Sequence, residues 1–209
     1  MADTKVSALT AAASALPSHE LPVNEGGTSK KLTVDQLTTL IGVRDNFSTA
    51  NQTINAATTA LITGSTLAVP ASKLAIGTVL MWKLTVSKTA AGTAANTFLV
   101  KIGTAGTTAD ATILTFTLPT ATAVVDVAKI EIMCTVRGPL SASCILQGNL
   151  WLGHNLSATG FATIPNVCLN VTSGAFDATT ANLIASVACT TAASTVLTFQ
   201  QCSANSHNL

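Results

Sequence analysis

In the run Lys129-Ile130-Glu131-Ile132-Met133-Cys134-Thr135-Val136-Arg137, every second residue is apolar, so Ile130, Ile132, Cys134 and Val136 fall together on one side. Lys129, Glu131, Thr135 and Arg137 fall on the other. Successive side chains of an extended strand point to opposite faces, whereas a helix of 3.6 residues per turn would mix these two sets. The same alternation occurs at 80–87, where Leu80, Trp82, Leu84 and Val86 oppose Lys83, Thr85 and Ser87. Further strand candidates are Asn96–Ile102, Thr112–Leu118, Ser143–Leu152, Asn166–Val171, Leu183–Cys189 and Ser194–Cys202, separated by turns rich in Thr, Gly and Ala. Short strands at this spacing, without helical periods between them, specify an all-β antiparallel sandwich or barrel. Eight strands within about 140 residues suit a jelly-roll-like β-sandwich, expected over residues 66–209.

Upstream, the charge pattern changes. Residues 1–45 hold nine of the nineteen formally charged side chains, whereas residues 138–209 hold only Asp177. This shift marks residues 1–45 as a separate segment. Leu21-Pro22-Val23 runs into Asn24-Glu25-Gly26-Gly27, a turn signal, and Ser29–Leu32 returns as a second strand. Thr33 with Gln36 has the spacing of a capping box, and Leu37, Leu40 and Ile41 then share a face of a short helix that Gly42 ends. A hairpin with a helix this short cannot bury its own apolar face, because isolated helices under about a dozen residues are marginal. It is therefore expected to be a docking element whose contact residues are Leu21, Val23, Leu32, Leu37, Leu40 and Ile41. Residues 46–65, mostly Thr, Ala and Asn, are expected to be a linker or arm, with Ala56–Ile62 as a weak helix within it.

Composition narrows the function. Only 9 % of the 209 residues are charged, against about 25 % in an ordinary soluble domain, and the net charge is +1. Nothing in that balance suits capture of nucleic acid or an anionic membrane. A free surface this poor in charge risks association, so cover by partner proteins or by copies of the chain is expected. The most apolar stretch, Leu74 to Trp82, is too short for a membrane-spanning helix, and the first residues lack the apolar core of a signal sequence. The five cysteines form no C-x-x-C pair and lie in apolar stretches, which suits buried free thiols. Trp82 and Trp151 lie on strands and are expected in the core, or one of them as an interface anchor.

Reactive constellations are sparse. No G-x-S-x-G elbow and no phosphate-cradling glycine loop is present. His154 follows a strand and is the histidine placed to approach Asp177 or a serine in space, which leaves a hydrolase as a third class. Asp126 and Glu131 are an odd number of positions apart, so they point to opposite faces of one strand and do not form a carboxylate pair. No enzyme activity, no catalytic, cofactor-binding or metal-ligating residue, and no cofactor is expected.

Lys5-Val6-Ser7-Ala8-Leu9-Thr10, Glu20-Leu21-Pro22-Val23, Gly26-Gly27-Thr28-Ser29-Lys30-Lys31-Leu32-Thr33-Val34 and Gln36-Leu37 together resemble a segment found at the start of tailed-phage virion proteins, tail-fibre and decoration proteins among them. The resemblance covers about residues 5–41. Asn24-Glu25 stands where that pattern often has a neutral pair. It implies attachment to a phage particle: a capsid-decoration, head-fibre or tail-fibre-attachment protein, assembled in the host cytoplasm and located in the virion. The expected partners are other capsid or tail proteins and further copies of the chain, as a homotrimer. Nucleic acid and membrane are not expected partners. The alternative is a host-receptor module of a phage adhesin that binds carbohydrate, against which the 4 % aromatic content and the absence of Tyr speak.

Overall fold

A computed structural model describes residues 20–25, 28–33, 44–55, 57–70 and 73–209. The chain divides into two compact units, Met1–Gly42 and Val43–Leu209. Among the described residues there is no helix, and every strand pairing is antiparallel.

The first unit contains the hairpin expected from its sequence. Strand β1 (Glu20–Glu25) pairs with β2 (Thr28–Thr33) in a register that runs from Glu20 opposite Thr33 to Glu25 opposite Thr28. Pro22 is tolerated because each strand of a two-stranded ribbon has a free edge. The helix expected after Thr33 lies outside the described residues.

The second unit opens with four short strands, β3 (Arg44–Ser48), β4 (Gln52–Asn55), β5 (Thr59–Leu61) and β6 (Leu67–Val69). Eight longer ones follow: β7 (Val79–Lys88), β8 (Thr97–Gly103), β9 (Ala111–Thr117), β10 (Asp126–Gly138), β11 (Ile145–His154), β12 (Asn166–Thr172), β13 (Leu183–Thr190) and β14 (Val196–His207). One sheet has the order β12-β11-β10-β7-β14-β3, with β4 continuing along β14 beyond β3. The other has the order β5-β13-β8-β9, with β6 continuing along β13. The two sheets meet in a sandwich-like arrangement around one apolar core.

Residues 46–65 are therefore not a linker, and the described part of the range expected as a weak helix, 57–62, is not helical. They supply β4, β5 and most of β3, and the body begins near residue 43 rather than 66. An edge strand needs only a ladder of backbone bonds and an occasional apolar anchor. Ile54 and Ile62 provide the anchors, at 2 % and 1 % exposure. Sparse bulky residues resemble a linker when backbone pairing cannot be seen.

The inward faces follow the alternation. Leu80, Trp82, Leu84 and Val86 of β7 and Ile130, Ile132, Cys134 and Val136 of β10 are all buried, facing Phe98 and Val100 of β8 and Leu114 and Phe116 of β9. Phe98 and Phe199 of β14 meet edge to face at 6.3 Å. At Gly148 of β11 side chains of the facing sheet press onto the backbone: a Cβ there would lie 2.6 Å from Leu114 Cδ1 and 2.8 Å from Phe116 Cζ. Strand β14 carries a bulge between Phe199 and Gln201. The extra residue shifts the inward set from Leu197 and Phe199 to Cys202 and Ala204, so one strand runs on to His207 across a slip in period. Buried Trp82 donates from Nε1 to the Ser65 carbonyl (2.6 Å), and the Ser65 hydroxyl bonds both polar backbone groups of Val187 (3.1 Å each). This polar staple fixes the segment between β5 and β6 to the core.

Candidate functional site

Three of the six expected docking residues fall on the N-terminal hairpin, where Leu21 stands opposite Leu32 and Val23 opposite Lys30. Leu37, Leu40 and Ile41 lie outside the described residues.

In the body, a buried polar cluster lies at one end of the β7–β10–β11 strands. Asp126 opens β10, directly opposite Lys88 at the end of β7, and His154 closes β11. Extending the inward phase of each strand reaches these residues: Asp126 continues the series 134, 132, 130, 128, and Lys88 continues 80, 82, 84, 86. All three side chains are buried, and that of His154 has no exposed surface. His154 Nδ1 lies 2.6 Å from Asp126 Oδ2, and its Nε2 lies 2.7 Å from the Ile164 carbonyl. A carbonyl only accepts, so Nε2 carries a proton, and a further proton lies between Nδ1 and the carboxylate. Asp126 also accepts from the backbone N–H groups of Val127 (2.8 Å) and Phe161 (3.1 Å). Lys88 Nζ donates to the carbonyls of Thr89 (2.9 Å), Thr122 (2.7 Å) and Val124 (3.3 Å). Burial lowers the Lys88 pKa, and the Asp126 charge partly opposes that shift.

An aspartate on Nδ1 of a histidine is two-thirds of a hydrolytic triad. Here the position a nucleophilic hydroxyl would take at Nε2 is filled by the Ile164 carbonyl. The cluster clamps the β9–β10 and β11–β12 loops, through Thr122 and Val124 on one side and Phe161 and Ile164 on the other, to the sheet end. Asp177, the carboxylate expected near His154, instead accepts from the backbone N–H (2.8 Å) and hydroxyl (2.6 Å) of Thr179, and these bonds lower its pKa. No group of three His, Cys, Asp or Glu side chains suited to a metal ion occurs among the described residues.

The outer face of the same sheet carries a tryptophan, and a cysteine that was expected to be buried. Trp82 is core, but Trp151 of β11 points outward and is 42 % exposed. Its neighbour across the β11–β12 ladder, Cys168, is exposed too, while the other four cysteines are buried free thiols. Burial pushes the thiols of Cys134, Cys144 and Cys189 up, and that of Cys202 up to about 12. Lys83 and Glu131, opposite each other on β7 and β10, make an exposed ion pair at 3.8 Å, while Lys101 is buried against the Asp110 carbonyl (2.8 Å) and Thr112 hydroxyl (3.0 Å).

In comparison with known proteins, no family model matches this chain, and neither does any curated sequence.

Proposed function

We propose that this chain is a non-catalytic structural component of a bacteriophage virion. It attaches through its N-terminal segment, residues 1–45 as read from sequence, and associates through its β-sandwich as a homotrimer. The observation that carries this reading is the hairpin β1–β2. It forms in a unit separate from the body, on the residues that resemble the particle-docking segment of tail-fibre and decoration proteins. Its function is adhesion and reinforcement by buried area and strand pairing, in the capsid-decoration, head-fibre or tail-fibre-attachment class. Other capsid or tail proteins are its partners, with no membrane, nucleic acid or cofactor in the role, and it resides in the virion after assembly in the host cytoplasm.

Two features support the details. The Asp126–His154 pair is saturated by packing contacts, which suits a non-catalytic body. The crossings β7–β8 and β13–β14 run side by side, since β7 pairs with β14 and β8 with β13, as in the outer wraps of a jelly roll. The meander β10–β11–β12 within one sheet departs from that winding, so the body is jelly-roll-like in its outer wraps only.

The test is removal of residues 1–42, a cut that keeps β3 with the body. The expected product is a folded oligomer of unchanged stoichiometry by light scattering that no longer joins the particle. Leu37→Asp with Leu40→Asp in the full chain should abolish attachment without unfolding the body. A truncated chain that still incorporates normally contradicts the docking role, and a monomeric one contradicts self-association.

A further inference from the structure

The outer face of the β12-β11-β10-β7-β14 sheet is grooved. One depression, about 390 Å³, lies over β14, β7 and β10 and includes Lys83, Glu131 and Gln201. A second, about 330 Å³, lies over β10, β11 and β12 and includes Trp151, Asn155 and Asn166. Both include Thr85 and Lys129, so they adjoin and form one trough running across the strands. At about 4.8 Å between strands, five strands give the trough a length of roughly 19 Å.

We infer that this trough is an oligosaccharide-binding site with Trp151 as its stacking platform. A pyranose has an apolar C–H face and a rim of hydroxyls, and the trough offers a counterpart to each. The Trp151 ring lies over Gly153, two positions along β11, where a Cβ would collide with the six-membered part of the indole. Glycine at 153 thus lets the ring lie along the sheet, with part of its surface open to solvent. Around it, amides of Asn155 and Asn166, the Lys129 ammonium and the Glu131 carboxylate supply donors and acceptors along the path, the mixture of an apolar surface with a few placed polar groups that defines a ligand site. The Lys83–Glu131 pair is long and exposed, so either partner can turn to a ligand hydroxyl at little cost.

The same residues argue against the other occupants. Two lysines against one glutamate give too little positive potential for a nucleic-acid backbone. A contact between copies is depleted of charge at its centre. This face instead carries Lys83, Lys129, Glu131 and Arg137, four of the ten charges in residues 46–209. The inference does not depend on particle attachment. On a virion, this site would give the body a host-surface role.

The chain has two tryptophans, and Trp82 is fully buried, so ligand-dependent emission changes report on Trp151. The full chain is titrated with soluble cello-, malto-, manno- and chito-oligosaccharides of six units, each up to about 10 mM. A saturable emission shift with at least one of them is expected. By calorimetry with that sugar, Trp151→Ala and Gly153→Ala should each weaken binding by about tenfold or more, the second without removing the ring. Circular dichroism of both variants checks that the sheet is intact. No saturable response to any of the four overturns the inference, as does unchanged affinity in folded Trp151→Ala. An emission shift that follows protein concentration alone, with a rise in mass, makes the face a contact between copies and overturns it as well.

Discussion

Replacing Asp126 with asparagine removes one charge from the clamp at the sheet end and leaves its shape nearly unchanged. The carboxylate satisfies three donors, with Val127 N–H on one oxygen and His154 and Phe161 N–H on the other. In the variant, the amide oxygen keeps Val127, and the amide nitrogen takes the second position. His154 can adapt by giving up its Nδ1 proton and accepting from the amide, still donating from Nε2 to Ile164. The Phe161 N–H cannot adapt and is left facing a donor. One unsatisfied buried donor costs about 1–3 kcal/mol. Loss of the anion opposite Lys88 adds to this, because an uncompensated buried charge is costly. The total is roughly 3 kcal/mol. Urea unfolding followed by far-UV circular dichroism should show the midpoint falling by about 1–1.5 M, at a slope of about 2–3 kcal/mol/M. In a Lys88→Met background the same substitution should cost about 1 kcal/mol less, because the two charges are coupled. A loss under about 0.5 kcal/mol for Asp126→Asn alone would refute the clamp.

The buried thiols predict alkaline destabilisation. Cys134, Cys144, Cys189 and Cys202 are held above the ordinary 9.0, so the folded chain keeps protons that the unfolded chain sheds. Their contribution is whole below about pH 9 and is lost as pH rises toward the folded values, by up to about 1.4 kcal/mol per pH unit for each thiol. Lys88, its pKa lowered, acts in the opposite sense just below 10.5 but is one group against four. Urea midpoints that stay level from pH 8 to about 10.5 under reducing conditions would contradict this. A thiol reagent should label native protein at Cys168 and denatured protein at all five cysteines, and fast native labelling of Cys134 or Cys189 would disprove their burial. Trp82→Phe should cost about 2–4 kcal/mol, from the unpaired Ser65 carbonyl and the smaller ring, and a loss below about 1 kcal/mol would show that the staple contributes little.

The strands that alternate strictly were legible in the sequence, because one buried face imposes a period of two. Each of the eight candidate runs overlaps one of β7 to β14. Strands β3 to β6 were not legible, since an edge strand anchored by single residues such as Ile54 leaves no periodic trace. The extension of β14 beyond Cys202 was hidden by the phase slip that the bulge introduces. At the sheet end, the inward phase of β10 and β7 points Asp126 and Lys88 toward the core, but alternation alone does not say that a charged side chain follows it inward. Trp151 is the reverse case. Leu150 and Leu152 fix it outward by alternation, whereas the size and apolar character of indole left core and interface anchor both open. The partner of His154 was not legible, because the distance between residues 126 and 154 closes only when β10 pairs with β11.

Virion membership is tested most directly by locating the protein on intact particles. Antibody raised against residues 43–209 and carrying an electron-dense label should mark one morphological feature of purified phage, head surface or tail, at regular copy number. Particles whose copy of this chain lacks residues 1–42 should be unmarked, while the released body is recovered from the lysate as a folded oligomer. Purified wild-type particles that carry neither label nor this polypeptide would contradict the structural role.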